Sequence, residues 1–169
     1  MKIPGFVSCP TALNAKQNAA RRRILAQLER LALEPRALGR SDYPTEYPLR
    51  EVAVIAKHCS GGVILGFEQF QAPSGIWKRG AKDESITKKS IVFPTSWNHL
   101  GAGILFGLKL PLLVFREPGI SGGVFDNGVT DAFVHTMPEP EMSGTKREAF
   151  DAVFLKWQAK VRAHYYRDA

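Results

Sequence analysis

Cysteine is scarce. The 169 residues include only Cys9 and Cys59, both in segments that read as buried, so a disulfide framework is not expected and a reducing, cytoplasmic setting is. Long apolar runs are missing as well. A single Lys2 is followed by Pro4 and Gly5, with no stretch long enough for a signal peptide or a membrane span, which points to a protein that does not enter a membrane. No Gly-x-x-x-x-Gly-Lys-Ser/Thr phosphate loop occurs, and no acidic cluster follows the first strand in the manner of a phosphorylated receiver domain. His58, His99, His135 and His164 are scattered without the spacing of zinc ligands, so neither a metal nor another cofactor is expected. Gly101-Ala102-Gly103 with Gly107 imitates a dinucleotide fingerprint, but the spacing has one residue too many and the glycines fall inside a helix, where close packing is the simpler reading. Cys9 and a histidine would make a nucleophile pair if they met, and nothing in the sequence brings them together.

What is present fits one domain. Hydrophobic residues make up 44% of the chain, an ordinary share for a soluble protein able to bury a sizeable core. Net charge is +7. That surplus would suit nucleic acid, an acidic partner or an anionic ligand, but no nucleic-acid motif accompanies it, so nucleic acid is not an expected partner and the charge reads as solvated surface. No repeat, low-complexity segment or domain boundary interrupts the chain.

Strand and helix signals alternate along it. Phe6-Val7-Ser8-Cys9 reads as a first strand ending at Pro10, and Asn14 precedes a helix with Ile24, Leu25, Leu28 and Leu31 on one side. Arg21, Arg22 and Arg23 lie in that helix and read as a solvated face. After Pro35, Arg36 to Gly39 suggests a second strand, followed by a loop from Arg40 to Pro48 whose prolines forbid a regular helix and whose tyrosines and carboxylates need a shaped turn. Leu49, Val52, Ile55 and Ala56 mark a second helix, closed by Gly61-Gly62. Val63 to Phe67 is apolar throughout and predicts a central strand. A long loop rich in Lys, Gly and Ser then runs to about Ser90, a length more often functional than structural.

The next stretch is the most informative. Thr95 or Ser96 can cap a helix in which Trp97, Leu100, Ile104 and Leu108 recur at three- and four-residue spacing, and Leu112 to Phe115 follows as a strand buried on both faces. The glycine-bearing turn Glu117 to Gly123 leads to a fifth strand, Ala132 to His135. Thr145 and Glu148 have capping-box spacing for a last helix with Phe150, Val153, Phe154, Trp157 and Val161 on one stripe; that helix either packs inward or pairs with a second copy of the chain in a homo-oligomer. Five strands alternating with four helices predict an α/β, flavodoxin-like three-layer domain over residues 1–169, with a five-stranded parallel sheet of order 2-1-3-4-5. Its crevice would lie where strands one, three and four end, beside the helix N-terminus near residue 96.

The motifs Phe6-Val7-Ser8-Cys9-Pro10, Pro48-Leu49-Arg50-Glu51-Val52, Gly62 to Gln69, Trp97-Asn98-His99-Leu100-Gly101-Ala102-Gly103 and Leu110 to Val114 resemble, in that order, the nucleoside 2-deoxyribosyltransferase superfamily and its TIR-like relatives. The resemblance spans residues 6 to 136 and implies cleavage or exchange of an N-glycosidic bond in a nucleoside, nucleotide or NAD-like molecule. It also implies a glutamate early in the helix after the long loop, because departure of the base leaves positive charge on the sugar that a carboxylate can trap or offset. Gly101 occupies that position here. Glu68, at the end of the third strand, is the first substitute for the catalytic acid, with Asp42 and Asp126 next. Trp97 can stack on a base, and Ser8, Thr95, Ser96 and Asn98 can donate hydrogen bonds to ribose or phosphate. Pro10, Asp42, Gln69 and Gly101 complete the expected ligand-contacting set. Two functions stay open: a non-catalytic nucleoside- or nucleotide-binding domain, which is favoured, and an active N-glycosidase or deoxyribosyltransferase using Glu68. A plain interaction module on the basic surface is a third, and it predicts no small ligand.

Overall fold

A strand without polar alternation is stable only where both faces are covered. Strand β3 (Gly62–Gly66) is such a strand, buried along its whole length at the centre of a five-stranded parallel sheet. The computed structural model describes residues 1–42 and 45–167; Tyr43 and Pro44, part of the tyrosine- and proline-bearing loop, lie outside the described residues. The other strands are β1 (Ile3–Ser8), β2 (Leu33–Arg36), β8 (Leu112–Arg116) and β9 (Val134–Thr136), in the order β2-β1-β3-β8-β9. This is the expected order, with Phe6 opposite Gly62 on one side of β3 and Val63 opposite Leu113 on the other.

Successive residues of β3 point to opposite faces, and each face has its own helices. Val63 and Leu65 join Val7, Leu113 and Phe115 beneath α1 (Ala15–Arg30) and α4 (Gly144–Tyr165), whose Ile24, Leu28, Phe154, Trp157 and Val161 fill that layer. Ile64 joins Phe6, Leu112 and Val114 beneath α2 (Pro48–Lys57) and α3 (Ser96–Gly107), through Val52, Ile55, Ala56, Ala102 and Leu105. The last helix therefore packs inward. Gly61 and Gly62 do not close α2, which ends at Lys57 with His58 as its cap; they make room for packing, since a Cβ at Gly61 would stand 2.5 Å from Val161 Cγ2 and one at Gly62 would stand 2.4 Å from Leu105 Cδ1. Neighbouring glycines thus let α4 and α3 press on the sheet from opposite sides.

Several expectations need correction. The second strand begins at Leu33 and contains Pro35, where Arg36 to Gly39 was expected; β2 is an edge strand paired only with β1, so a residue without an N–H is tolerated there. The loop to Ser90 is not structureless. It folds into two antiparallel ribbons, β4 (Phe70–Ala72) with β7 (Ile91–Phe93) and β5 (Gly75–Trp77) with β6 (Ser85–Thr87), which form an arm. In α3 the buried face carries Asn98, Gly101, Ala102 and Leu105, while Trp97 and Leu100, assigned to the apolar stripe, are each 44% exposed. The small residues face inward because they meet the sheet at its closest approach. Ser143, not Thr145, caps α4 by accepting from the Lys146 N–H at 3.3 Å. Among the described residues, no helix is long and apolar enough to cross a membrane.

Candidate functional site

In a sheet of this order the crossover after β1 runs outward to β2 while the one after β3 runs the other way to β8, which opens a crevice beyond the carboxyl ends of β1 and β3. A cavity of about 420 Å³ lies there. Ser8, Cys9, Pro10 and Thr11 at the end of β1 form one wall. Gly39 comes from the turn after β2, Pro48 and Val52 from α2, Gln69 from beyond β3, and Thr95, Trp97 and Gly101 from the start of α3.

The α3 terminus is built from local chemistry. Thr95 is extended and caps the helix, its Oγ1 accepting from the Trp97 N–H at 3.3 Å. The next turn carries Asn98, fully buried, whose Nδ2 donates to Ser8 Oγ at 3.0 Å and to the Ser8 carbonyl at 3.3 Å. That pair ties the helix to the end of β1 and fixes the serine hydroxyl in the wall. Asn98 Oδ1 is buried with no hydrogen-bond partner among the described residues. One turn further, Gly101 faces Ser8: a Cβ there would sit 3.4 Å from Ser8 Oγ and 3.5 Å from Phe6 Cε1, both ordinary contact distances. Glycine is thus not demanded by the packing at this position. Its effect is a stretch of wall with no side chain. Gly103 and Gly107 have nothing near their missing Cβ atoms, so close packing accounts for neither.

Just before Gln69, the end of β3 is braced by Gln17 and Glu117, which stand outside the crevice lining. Glu117 Oε2 accepts from the Glu68 N–H at 2.6 Å and from Gln17 Nε2 at 2.9 Å, and the same Gln17 nitrogen donates to the Glu68 carbonyl at 3.1 Å. Gln17 is itself held by a reciprocal capping box with Asn14. The ends of β3, β8 and the start of α1 are thereby locked together. The Asn-x-x-Gln spacing announced the box, but nothing local to either residue announced Glu117.

Of the residues named from sequence, Ser8, Pro10, Gln69, Thr95, Trp97 and Gly101 come together in the crevice wall, with Asn98 directly behind it. Glu68 is half-buried at the brace and is not among the lining residues. Ser96 is exposed at the first turn of α3 and Asp126 is taken up in its own loop, accepting from the Gly122 N–H at 2.9 Å. Asp42 is engaged elsewhere: Arg36 clamps it through two nitrogens, Ser41 Oγ donates to it at 2.6 Å, and the guanidinium holds its carboxyl below the ordinary value. It lines a separate cavity with Pro4, Arg36 and His58. Thr11, Leu38, Gly39 and Val52 belong to the crevice without having been singled out for it, since only the fold brings the ends of β1, β2 and α2 together. Among the described residues, no three His, Cys, Asp or Glu side chains are placed to hold a metal ion. Comparisons with protein-family models, curated proteins and solved structures find no match for this chain.

Proposed function

We propose that the crevice binds a nucleoside or nucleotide and does not cleave it. The observation that carries this reading is the chemistry of the wall. It offers an indole at Trp97 for a base, hydroxyls at Ser8 and Thr95, an amide at Gln69 and the N-terminus of α3. Among the described residues lining it there is no carboxylate, and Gly101 leaves bare the stretch of wall that faces Ser8. Cleavage of an N-glycosidic bond needs a negative group to trap or offset the charge that develops on the sugar. Nor does the Cys9 thiol replace it as a nucleophile. Burial pushes its pKa above the ordinary value, so it stays protonated at neutral pH.

The test is incubation of the protein with NAD, NADP and a panel of nucleosides and nucleotides, with free base followed by chromatography and thermal shift read on the same panel. No base release above a Glu68→Gln control, together with a raised melting temperature for some member of the panel, is the expected result. Release that Glu68→Gln abolishes would overturn it and make the protein a glycosidic-bond enzyme. Gly101→Glu restores a carboxylate to the bare wall; base release by that variant alone would support the reading of this position.

A further inference from the structure

Guanidinium groups withdrawn from water are normally matched by carboxylates. Two partly buried arginines here follow that rule: Arg36 pairs with Asp42 and Arg116 with Asp126. Arg21 on α1 and Arg40 after β2 do not. Neither forms an ion pair among the described residues, both are partly buried, and the Nε of each is buried without a hydrogen-bond partner. Yet the two lie side by side against the Cys9 thiol, and the pKa of Arg21 is drawn down by burial and by the neighbouring charge of Arg40. The thiol is no counter-ion, because burial keeps it neutral. Two like charges are therefore held together with no carboxylate paired to either among the described residues.

Their position gives the pair a use. Arg40 Nη2 donates to the Pro10 carbonyl at 2.8 Å and to the Thr11 carbonyl at 3.0 Å, which fixes the guanidinium against the loop that ends β1. Cys9, Pro10 and Thr11, together with Gly39 next to Arg40, are all residues of the crevice wall, while the two arginines stand outside the lining itself and reach the site only through these neighbours. Paired guanidinium groups present planar forks of N–H donors that match the oxygens of a phosphate. Resting on the reading of the crevice as a nucleoside or nucleotide site, we propose that Arg21 and Arg40 form its anion subsite and receive a phosphate monoester, which makes the ligand a nucleotide. The phosphate supplies the missing counter-charge, and the mutual repulsion of the two arginines becomes attraction to a shared partner.

Titration calorimetry with nucleosides, their 5′-monophosphates and inorganic phosphate tests this on the wild-type chain and on Arg21→Gln and Arg40→Gln. The monophosphate of the preferred base should bind at least about tenfold more tightly than its nucleoside, as one charged hydrogen bond to phosphate is enough to produce. Arg21→Gln should bring the monophosphate down towards the nucleoside while leaving the nucleoside unchanged. Because Arg40 also holds the Pro10–Thr11 loop, the nucleoside affinity of Arg40→Gln serves as its control, and Arg21, whose side chain makes no bond to the backbone among the described residues, carries the decision. Equal binding of nucleoside and monophosphate would overturn the phosphate subsite and leave the crevice reading standing. Arg21-dependent binding of inorganic phosphate alone, with no nucleoside or nucleotide bound, would overturn the nucleotide and leave a free-phosphate site. Binding of none of the three would overturn both.

Discussion

Strand β3 and the arm that follows it are close neighbours in sequence and opposites in environment. Val63, Ile64 and Leu65 are completely buried, whereas Phe70 is 61% exposed and Ile86 68% exposed. Both segments form strands and both carry large apolar side chains. What separates them is the supply of partners. β3 has a strand on each side and a pair of helices over each face, while among the described residues each strand of the arm has a single partner, β4 with β7 and β5 with β6, and Phe70, Trp77 and Phe93 cluster loosely at ring separations of 6.2 and 6.4 Å. An apolar side chain stabilises a fold through the area it loses to its neighbours, not through its identity.

The largest test of that contrast is in the layer beneath α4. Phe154 is fully buried, stacks on Phe115 at 5.7 Å and packs beside Phe150 at 4.8 Å. Phe154→Ala should cost about 3–5 kcal/mol in denaturant unfolding; a loss below about 1 kcal/mol would mean that this face is loosely packed. Next comes the brace at the end of β3. Glu117→Ala leaves the Glu68 N–H and one Gln17 donor without their shared acceptor, so about 1–3 kcal/mol should be lost. Unchanged stability would show that water replaces the carboxylate there.

A smaller effect belongs to His135, which lies on β9 between the rings of Phe115 and Phe133 at 5.6 and 5.0 Å. Burial lowers its pKa below the ordinary 6.5. The unfolded chain then takes up the proton more readily than the folded one, so stability is full above the ordinary value and falls as the pH drops below it. His135→Gln should flatten the stability profile between about pH 7 and pH 5, and an unaltered slope would remove this histidine as its source. The smallest change is in the arm: Ile86→Ser should move stability by no more than about 0.5 kcal/mol. A larger loss would mean that the arm is packed against something in solution, and the contrast with β3 would fail.

Much of the architecture was legible before any coordinates. Runs such as Val63 to Phe67 and Leu112 to Phe115 have no polar alternation, which suits central, parallel strands, and right-handed crossovers leave few strand orders, of which the flavodoxin-like one is found. Phe154, Trp157 and Val161 were readable because large apolar residues at helical spacing have few alternatives to the core. The site was legible in part. Ser8, Pro10, Gln69, Thr95, Trp97 and Gly101 meet in the crevice, since motifs at strand ends and helix starts are brought to one edge by the topology. Asp42 was not traceable to Arg36, six residues away, because an ion pair depends on where two side chains point and not on their spacing.

By itself the sequence determined which segments are strands and helices of the central sheet and in what order they lie, because burial on two faces and crossover handedness leave few arrangements. Only the tertiary structure decided which face of α3 turns inward. Trp97 and Leu100 are the more hydrophobic residues, but the sheet presents Gly62 and Ser8 at close range, where Leu105 fills the space over Gly62 and Asn98 donates to Ser8, so the face of Asn98, Gly101, Ala102 and Leu105 turns inward. It also decided that Arg21 and Arg40, distant in sequence and on different elements, stand together beside the crevice. Hydrophobic patterning acts within an element and can be read along the chain, whereas complementarity between surfaces exists only once the elements have met.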